Sequence, residues 1–352
     1  MSEYNKEVVA NIGTPSQRSF MISKLKYLVI FSFAALLGFT VYKMIKFEDS
    51  VRETRIVRIG SVAEQKLLPE ISSSEISKRA EESELRFKTG NKYFSVQEIK
   101  IRNGENVVEW HPHFLKGVNM GVAIPGNYPS EFSATYDMYF NWFRQIAAMN
   151  ANTVRIYTVL PPEFYEAFAQ YNIDNNSKPL YLMQGVWADD ADSGDYFDKG
   201  YSERFRKEIK DVIDVVHGNA VIKERPGHAA GTYARNVSNY VIGILLGREW
   251  EPSTVITTNS KNKKITKFIG DFISLPEGNP MEAWLAEMMD FTVRYETQIY
   301  RTQRPVSFVN WLPLDPMFHN SEFIESKKVR EYDNDIESID FRKFYRTPSR
   351  CA

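Results

Sequence analysis

The stretch "NYVIGILLGREWEP", residues 239–252, decides the fold. It opens with an apolar run and ends in a charged pair, an indole, a second carboxylate and a proline. A run that is apolar on both faces predicts a strand of a parallel sheet covered by helices. Functional sites in parallel barrels lie at the carboxyl ends of the strands, so Glu249 is expected at that edge.

Segments with strand and helix character alternate on both sides of this run. Helical spacing is found in residues 133–150, 161–171, 202–218 and 281–300, and apolar strand-like runs in residues 152–159, 178–188 and 304–311. This alternation predicts a (β/α)8 TIM-barrel type of fold, incomplete, with about five β/α units. A doubly wound open sheet shares the pattern, but "NMGVAIPGNYPS" (residues 119–130) lacks the G-x-G-x-x-G helix entry of the nucleotide-binding type.

The N-terminal part of the chain has a different character. The uncharged run "YLVIFSFAALLGFTVY", Tyr27 to Tyr42, predicts a single transmembrane helix over residues 25–46, after a tail of residues 1–24. A buried core helix is the alternative. A cleaved signal peptide is disfavoured because no small-residue cleavage site follows the run. Lysines and arginines flank both ends of the run, so they do not decide its orientation in the bilayer.

Residues 47–86 are polar and rich in Ser and Glu, which predicts a stalk. Residues 87–352 are then expected to form the partial barrel domain. This domain opens with a short β-hairpin around Asn103-Gly104, a dipeptide typical of tight turns.

The overall charge and the cysteine content exclude several function classes. The 352 residues contain 44 Lys plus Arg and 45 Asp plus Glu, so no basic field points to nucleic acid. Cys351 is the only cysteine and cannot form an internal disulfide. His111 and His113 form an H-x-H pair for which the sequence suggests no third ligand. The acidic run at residues 189–195 fits a solvated loop better than a calcium loop. No metal or cofactor is expected.

The end of the central strand has two interpretations. Glu249 could act as a proton donor, with Trp250 as an apolar wall that favours the protonated carboxyl group. Alternatively, Arg248 and Glu249 simply pair and cap the strand. The residues alone leave both open.

Four segments, "FLKGVNMG" (114–121), "MNANTVRIYTV" (149–159), "NYVIGILLGREWEP" and "VSFVNWLPLDP" (306–316), resemble successive strand motifs of retaining glycoside hydrolases of the (β/α)8 clan A superfamily. The resemblance covers roughly residues 90 to 340. It implies that Glu249 is the acid/base glutamate and that Arg155 lies near the catalytic carboxylates. The clan usually has asparagine before the glutamate, where this chain has Arg248.

A polysaccharide or oligosaccharide is the partner that this resemblance implies. Tyr157, Trp187 and Trp311 follow or end strands, where aromatic faces could stack on sugar rings or serve as core. Asn310 could bind a sugar hydroxyl or terminate the strand. We therefore expect these four residues, together with Arg155 and Arg248, to bind the substrate.

The clan's nucleophile glutamate follows the seventh strand, and only some forty residues follow the fifth strand here. We therefore expect a chain shortened relative to the clan, in which the nucleophile region is missing. Three hypotheses follow: a membrane-anchored hydrolase or transglycosidase-like protein, inactive without that region; a non-catalytic carbohydrate-binding or scaffold membrane protein; and an α/β membrane-associated protein unrelated to glycans. In the first two, the barrel domain is expected outside the cytoplasm.

Overall fold

The computed structural model describes residues 71–90, 93–102, 105–317, 323–324, 329–330 and 337–346. All of them belong to one compact unit that runs from Glu70 to Ala352. The predicted tail, the predicted transmembrane helix over residues 25–46 and the stalk up to residue 70 lie outside these ranges. Within the ranges, every helix is too short or too polar to cross a bilayer.

Six α-helices are present in the described ranges. They are α1 (Ser73–Glu81), α2 (Tyr136–Ala148), α3 (Pro162–Asp174), α4 (Lys199–Val216), α5 (Pro252–Lys261) and α6 (Pro280–Tyr300). The longest, α6, begins with a capping box: the Asn279 side chain accepts from the Glu282 backbone N–H at 2.9 Å, and Glu282 accepts from the Asn279 N–H at 2.8 Å. Pro280 at the first helical position fits this start, because its missing N–H would be unpaired there anyway.

The strands fall into one parallel sheet and several small pairings. In chain order they are β1 (Glu84–Leu85), β2 (Phe87–Thr89), β3 (Phe94–Arg102), β4 (Glu105–His113), β5 (Gly117–Met120), β6 (Thr153–Ile156), β7 (Tyr181–Val186), β8 (Ala220–Ile222), β9 (Gly231–Tyr233), β10 (Val241–Leu246), β11 (Phe268–Ile269), β12 (Ile273–Leu275), β13 (Thr302–Gln303), β14 (Val306–Phe308), β15 (Phe323–Ile324), β16 (Val329–Arg330) and β17 (Tyr345–Arg346).

The central sheet has five strands in the order β5-β6-β7-β10-β14, and every neighbouring pair is parallel. Each strand therefore lies next to the strand that precedes it in this series. At least one helix lies between successive strands of the sheet. The predicted set of five parallel strands with intervening helices is confirmed.

The two faces of this sheet differ in burial. One face, the helix face, carries buried side chains from the central strands, and Tyr165 of α3 donates to Gln184 of β7 at 2.9 Å on this side. On the other face, the open face, Arg155 and Met183 are half-buried and Asn119 and Ser307 are exposed. The sheet is thus packed under helices on one side and partly open on the other.

A three-stranded antiparallel sheet, β2-β3-β4, covers the amino-terminal end of the open face. The contact is aromatic: the Tyr181 ring of β7 meets the rings of Phe87 and His113, with centroids at 5.6 Å and 4.9 Å. The predicted hairpin around residues 103–104 corresponds to β3 and β4, which pair from Phe94 to His113. It therefore belongs to the folded unit.

The segment before this hairpin is part of the core, although its polarity predicted a stalk up to residue 86. Ile76 and Ala80 of α1 are buried against Phe272 and Val293, and Phe87 is also buried. Two apolar positions four residues apart suffice to attach one face of a short helix. Residues 71–86 thus belong to the same compact unit as the parallel sheet.

Candidate functional site

Six of the seven candidate residues lie within three residues after the carboxyl end of a strand of the parallel sheet. Tyr157 follows β6, Trp187 follows β7, Arg248 and Glu249 come shortly after β10, and Asn310 comes shortly after β14. Backbone bonds continue the sheet just beyond the strands, from Gly247 N–H to the Val186 carbonyl at 2.8 Å and from Val309 N–H to Leu246 at 2.9 Å. Trp311 follows at the same edge, and Arg155 lies on the open face.

Glu249 is exposed, three residues beyond the end of β10. Among the described residues, its side chain has no hydrogen bond or ion pair. Arg248 instead pairs with Asp190, so the alternative in which Arg248 and Glu249 pair to cap the strand does not describe this arrangement. A carboxyl group at this position is free to meet a ligand at the sheet edge.

Trp250 has a different role from the one that its position suggested. Its indole is fully buried and packs edge-on against Tyr196 and Trp284, with centroids at 5.2 Å and 5.8 Å. Trp284 belongs to α6, so Trp250 joins the helix-covered core rather than forming a wall for Glu249. Its Nε1 is buried without a hydrogen-bond partner.

Arg248 connects two loops at the carboxyl edge. Its guanidinium pairs with Asp190, and its Cζ lies 5.9 Å from the centre of the Trp187 ring. The Arg248 side chain is 23% exposed and the Asp190 side chain 81%, so Asp190 is the partner that can move into solvent. The acidic run of residues 189–195 gave no signal for this pairing, because the two residues are 58 positions apart.

Arg155 lies on β6, next to Asn119 of β5 in the parallel register. Its Cζ lies 4.9 Å from the centre of the Tyr157 ring, which is a cation–π distance. Its Nε is buried and has no hydrogen-bond partner. A buried donor without a partner costs free energy, so a ligand oxygen that accepts from it would stabilise the site.

Asn310 and Trp311 lie where β14 ends. Asn310 Nδ2 donates to the Leu314 carbonyl at 3.1 Å, which stabilises the turn that follows the strand. Its Oδ1 is buried without a partner, so this oxygen can still accept a hydrogen bond while Nδ2 stabilises the turn. Trp311 is half-buried and precedes the 3-10 turn Leu312–Leu314.

The acidic loop at residues 189–195 does not gather its carboxylates at one point. Asp189 lies 3.8 Å from His228, Asp192 lies 3.5 Å from Arg204, and Asp195 accepts from the Phe197 backbone N–H at 3.0 Å. With Asp190 on Arg248, the four carboxylates therefore have four separate partners. Carboxylates spread over separate partners are typical of a solvated loop and differ from a set of ligands converging on one calcium ion.

The structure does bring together one group of metal-ligating atoms, away from this edge. Glu98, Glu109 and His111 of the β3-β4 hairpin have ligand atoms that all lie within 4.8 Å of one another. The H-x-H spacing alone did not predict this group, although Glu109 lies two residues before His111 and therefore on the same side of the strand. Glu98 joins them only through the pairing of the hairpin.

Comparison of the chain with known protein families, with curated proteins and with solved structures found no match.

Proposed function

We propose that the chain is a glycoside hydrolase or transglycosidase-like protein that binds a polysaccharide, with Glu249 as the acid/base residue. One observation carries the proposal. An exposed glutamate lies three residues beyond the fourth strand of the parallel sheet, at the edge where Tyr157, Trp187 and Trp311 follow other strands of the sheet. This is the edge at which parallel α/β barrels place their sites.

The order of the strands supports a barrel as the parent architecture. In a doubly wound sheet the strand order reverses at a switch point, whereas a barrel adds each strand beside the previous one. Here the order follows the chain from β5 to β14 without reversal. We infer that these strands correspond to the first five of a (β/α)8 barrel and that the open face corresponds to the barrel interior.

The side chains at the edge have functional groups suited to a sugar. Trp187 offers an aromatic face with Arg248 beside it, and Arg155 has an unpartnered Nε that can donate to a hydroxyl. Asn310 contributes an unpartnered Oδ1 that can accept from one. Trp311 and Tyr157 complete the proposed substrate-binding set.

Retaining hydrolysis requires a second carboxylate about 5 Å from the acid/base. In the clan that the sequence resembles, this nucleophile follows a seventh strand, and the described parallel sheet has five. A second candidate function is a carbohydrate-binding or scaffold protein that does not turn its ligand over, because the unpartnered Arg155 Nε and Asn310 Oδ1 suit binding as well as catalysis. In both cases the saccharide is bound at the carboxyl edge.

We further propose that residues 25–46 anchor the protein in a bilayer as a single span, with the barrel-type domain outside the cytoplasm. The uncharged run of residues 27–42 supports the span, and the polysaccharide ligand supports the location. Protease treatment of intact cells tests the orientation. Protection of the domain would contradict the extracytoplasmic location.

The function is tested on a panel of β-glucans and other polysaccharides, for binding and for release of reducing ends. We expect binding that Trp187→Ala weakens, and any turnover to disappear in Glu249→Gln. Glu251→Gln is the matched control, because Glu251 is also exposed and lies two residues away. Turnover that survives Glu249→Gln would refute the acid/base assignment. Absence of binding to every glycan tested would refute the proposed function as a whole.

A further inference from the structure

The β3-β4 hairpin contains a cluster of charged side chains that the proposed function does not use. Glu98 and Glu109 are direct partners across the two antiparallel strands. Two carboxylates directly opposite each other repel, so this pairing is unfavourable unless a cation lies between them. The pairing of β3 with β4 is therefore stabilised by any positively charged group that lies between these two carboxylates.

A histidine on the same side of the hairpin adds a nitrogen ligand. His111 lies two residues after Glu109, and successive residues of a strand alternate between faces. Its Nε2 is 2.8 Å from Glu98 Oε2 and 3.5 Å from Glu109 Oε2. Ligand atoms around a tetrahedral zinc ion are about 3.4 Å apart, given Zn–N and Zn–O distances near 2.1 Å. The 3.5 Å separation matches this value, and the 2.8 Å separation is a hydrogen-bond distance that would lengthen by about 0.6 Å when the ion binds.

The position between the carboxylates is reached by an ammonium group of the protein. Lys100 Nζ lies 2.9 Å from Glu109 Oε2 and 3.3 Å from Glu98 Oε2. Arg102 contacts the other oxygen, Oε1, of Glu109, and leaves Oε2 to the cluster. Lys100 is half-exposed on a flexible stem and can swing into solvent when a doubly charged ion replaces it.

From this geometry we propose that Glu98, Glu109 and His111 form a binding site for a divalent transition-metal ion such as Zn²⁺. One imidazole nitrogen and two carboxylate oxygens are ligands for that ion class, and water completes the coordination. Mg²⁺ and Ca²⁺ are disfavoured because they prefer oxygen ligands throughout. The ion joins β3 to β4 and takes the place of the Lys100 ammonium.

The test is a calorimetric titration of the chelator-stripped full chain, free of any polyhistidine tag, with ZnCl₂. We expect binding to the wild type and a loss of affinity of at least about tenfold in both Glu98→Gln and His111→Gln. Lys100→Gln should instead tighten binding severalfold, because it removes the competing cation. A salt-bridge cluster without a metal role would not produce this opposite pair of effects.

Two control variants separate a ligand set from a general effect of charge. Glu105→Gln removes a carboxylate from the same strand, and His113→Gln removes the neighbouring histidine; neither belongs to the cluster. Both should bind Zn²⁺ with wild-type affinity. Melting temperatures measured with and without Zn²⁺ check that each variant is folded, above all His113→Gln, because His113 packs against Tyr181.

Three results would each overturn the proposal. They are the absence of Zn²⁺ binding to the wild type, wild-type affinity in folded His111→Gln, and an affinity in Lys100→Gln that is unchanged or weaker. A loss in Glu105→Gln as large as that in Glu98→Gln would also overturn it, because the effect would then follow net charge.

Discussion

Trp250 lies so close to the backbone of Gly247 that a β-carbon at position 247 would overlap the indole ring. The backbone of Gly247 also has φ of +84°, a region that other residues adopt only with strain. Both features arise because the chain turns sharply after β10 and carries the indole into the helix-covered core. The same turn leaves Glu249 exposed at the sheet edge.

Substitution of Gly247 should therefore be costly. We expect Gly247→Ala to lower the free energy of unfolding by about 3 kcal/mol, from backbone strain plus overpacking. Gly126→Ala is the matched control, because Gly126 has φ of +91° and no atom near the position of an added β-carbon. It should cost about 1 kcal/mol, the strain alone. Equal losses in chemical denaturation would show that the contact with Trp250 is unimportant.

The buried Glu296 is expected to be essential for stability. It accepts hydrogen bonds from Arg304 at 2.6 and 2.9 Å, and its Oε1 is 2.8 Å from His217 Nε2. Glu296→Gln should cost about 3–5 kcal/mol, because it leaves Arg304 buried without its counter-charge. The comparison is Glu75→Gln, which breaks the surface pair with Arg79 and should leave the free energy of unfolding nearly unchanged. Similar losses for both would contradict this account.

The same carboxylate predicts sensitivity to acid. Burial by itself would raise the pKa of Glu296, but the charges and hydrogen bonds of Arg304 and His217 hold it at about 2, below the ordinary 4.5. A lowered folded-state pKa contributes stability that is present above the ordinary value and lost as the pH falls toward 2. Wild-type stability should decline from about pH 4.5 downward, and less steeply in Glu296→Gln. If the free energy of unfolding falls equally steeply with pH in the wild type and in Glu296→Gln, Glu296 is not the group that titrates.

Asp214 should make the stability depend on pH in the opposite direction to Glu296. Burial raises the pKa of Asp214 to about 6 from the ordinary 3.8, although Tyr300 and Tyr295 donate hydrogen bonds that oppose the shift. The folded state then binds the Asp214 proton more tightly than the unfolded state does. The resulting stabilisation of the folded state is complete below about pH 4 and is lost as the pH rises through 6. Asp214→Asn should remove a pH-dependent part of the stability, about 3 kcal/mol for a pKa raised from 3.8 to about 6. Asp137→Asn, on the exposed first turn of α2, should not change it.

Much of the fold follows from local patterns, because apolar runs and helical spacing need no knowledge of distant residues. The strands around Arg155 and Glu249 were predicted in this way. What could not be predicted depends on pairing across the chain. The contact of Arg248 with Asp190 joins two separate loops, and the contact of Glu98 with His111 depends on the register of a hairpin.

Two further differences have local causes that sequence patterns do not resolve. Trp250 follows the end of a strand, where either exposure or burial is possible, and the turn at Gly247 selects burial. The helix α1 is polar overall, so its two buried residues, Ile76 and Ala80, gave too weak a signal to separate a stalk from a packed helix. In both cases the tertiary neighbours decide the outcome.

A groove lies beside β14, the last strand of the parallel sheet. Among the described strands, β14 pairs on one side only, with β10, so its other edge presents unpaired backbone groups. A groove of about 330 Å³ runs beside it, lined by Phe308, Phe344 and other apolar side chains and also by Lys88, Arg304 and Arg346. The ring of Phe341 at its border is 64% exposed. An open strand edge next to exposed aromatic surface favours association between copies. We therefore expect the full chain to self-associate through this groove.

The measurement is analytical ultracentrifugation over a range of protein concentrations in one detergent. Phe341→Glu should shift the protein toward the monomer, because it places a charge at the border of the groove. Phe114→Glu is the matched control, since Phe114 is 79% exposed and does not line the groove. If the two variants dissociate equally, or if the wild type is monomeric at every concentration, the groove does not drive association. A shift confined to Phe341→Glu would identify the uncovered side of β14 as the contact surface.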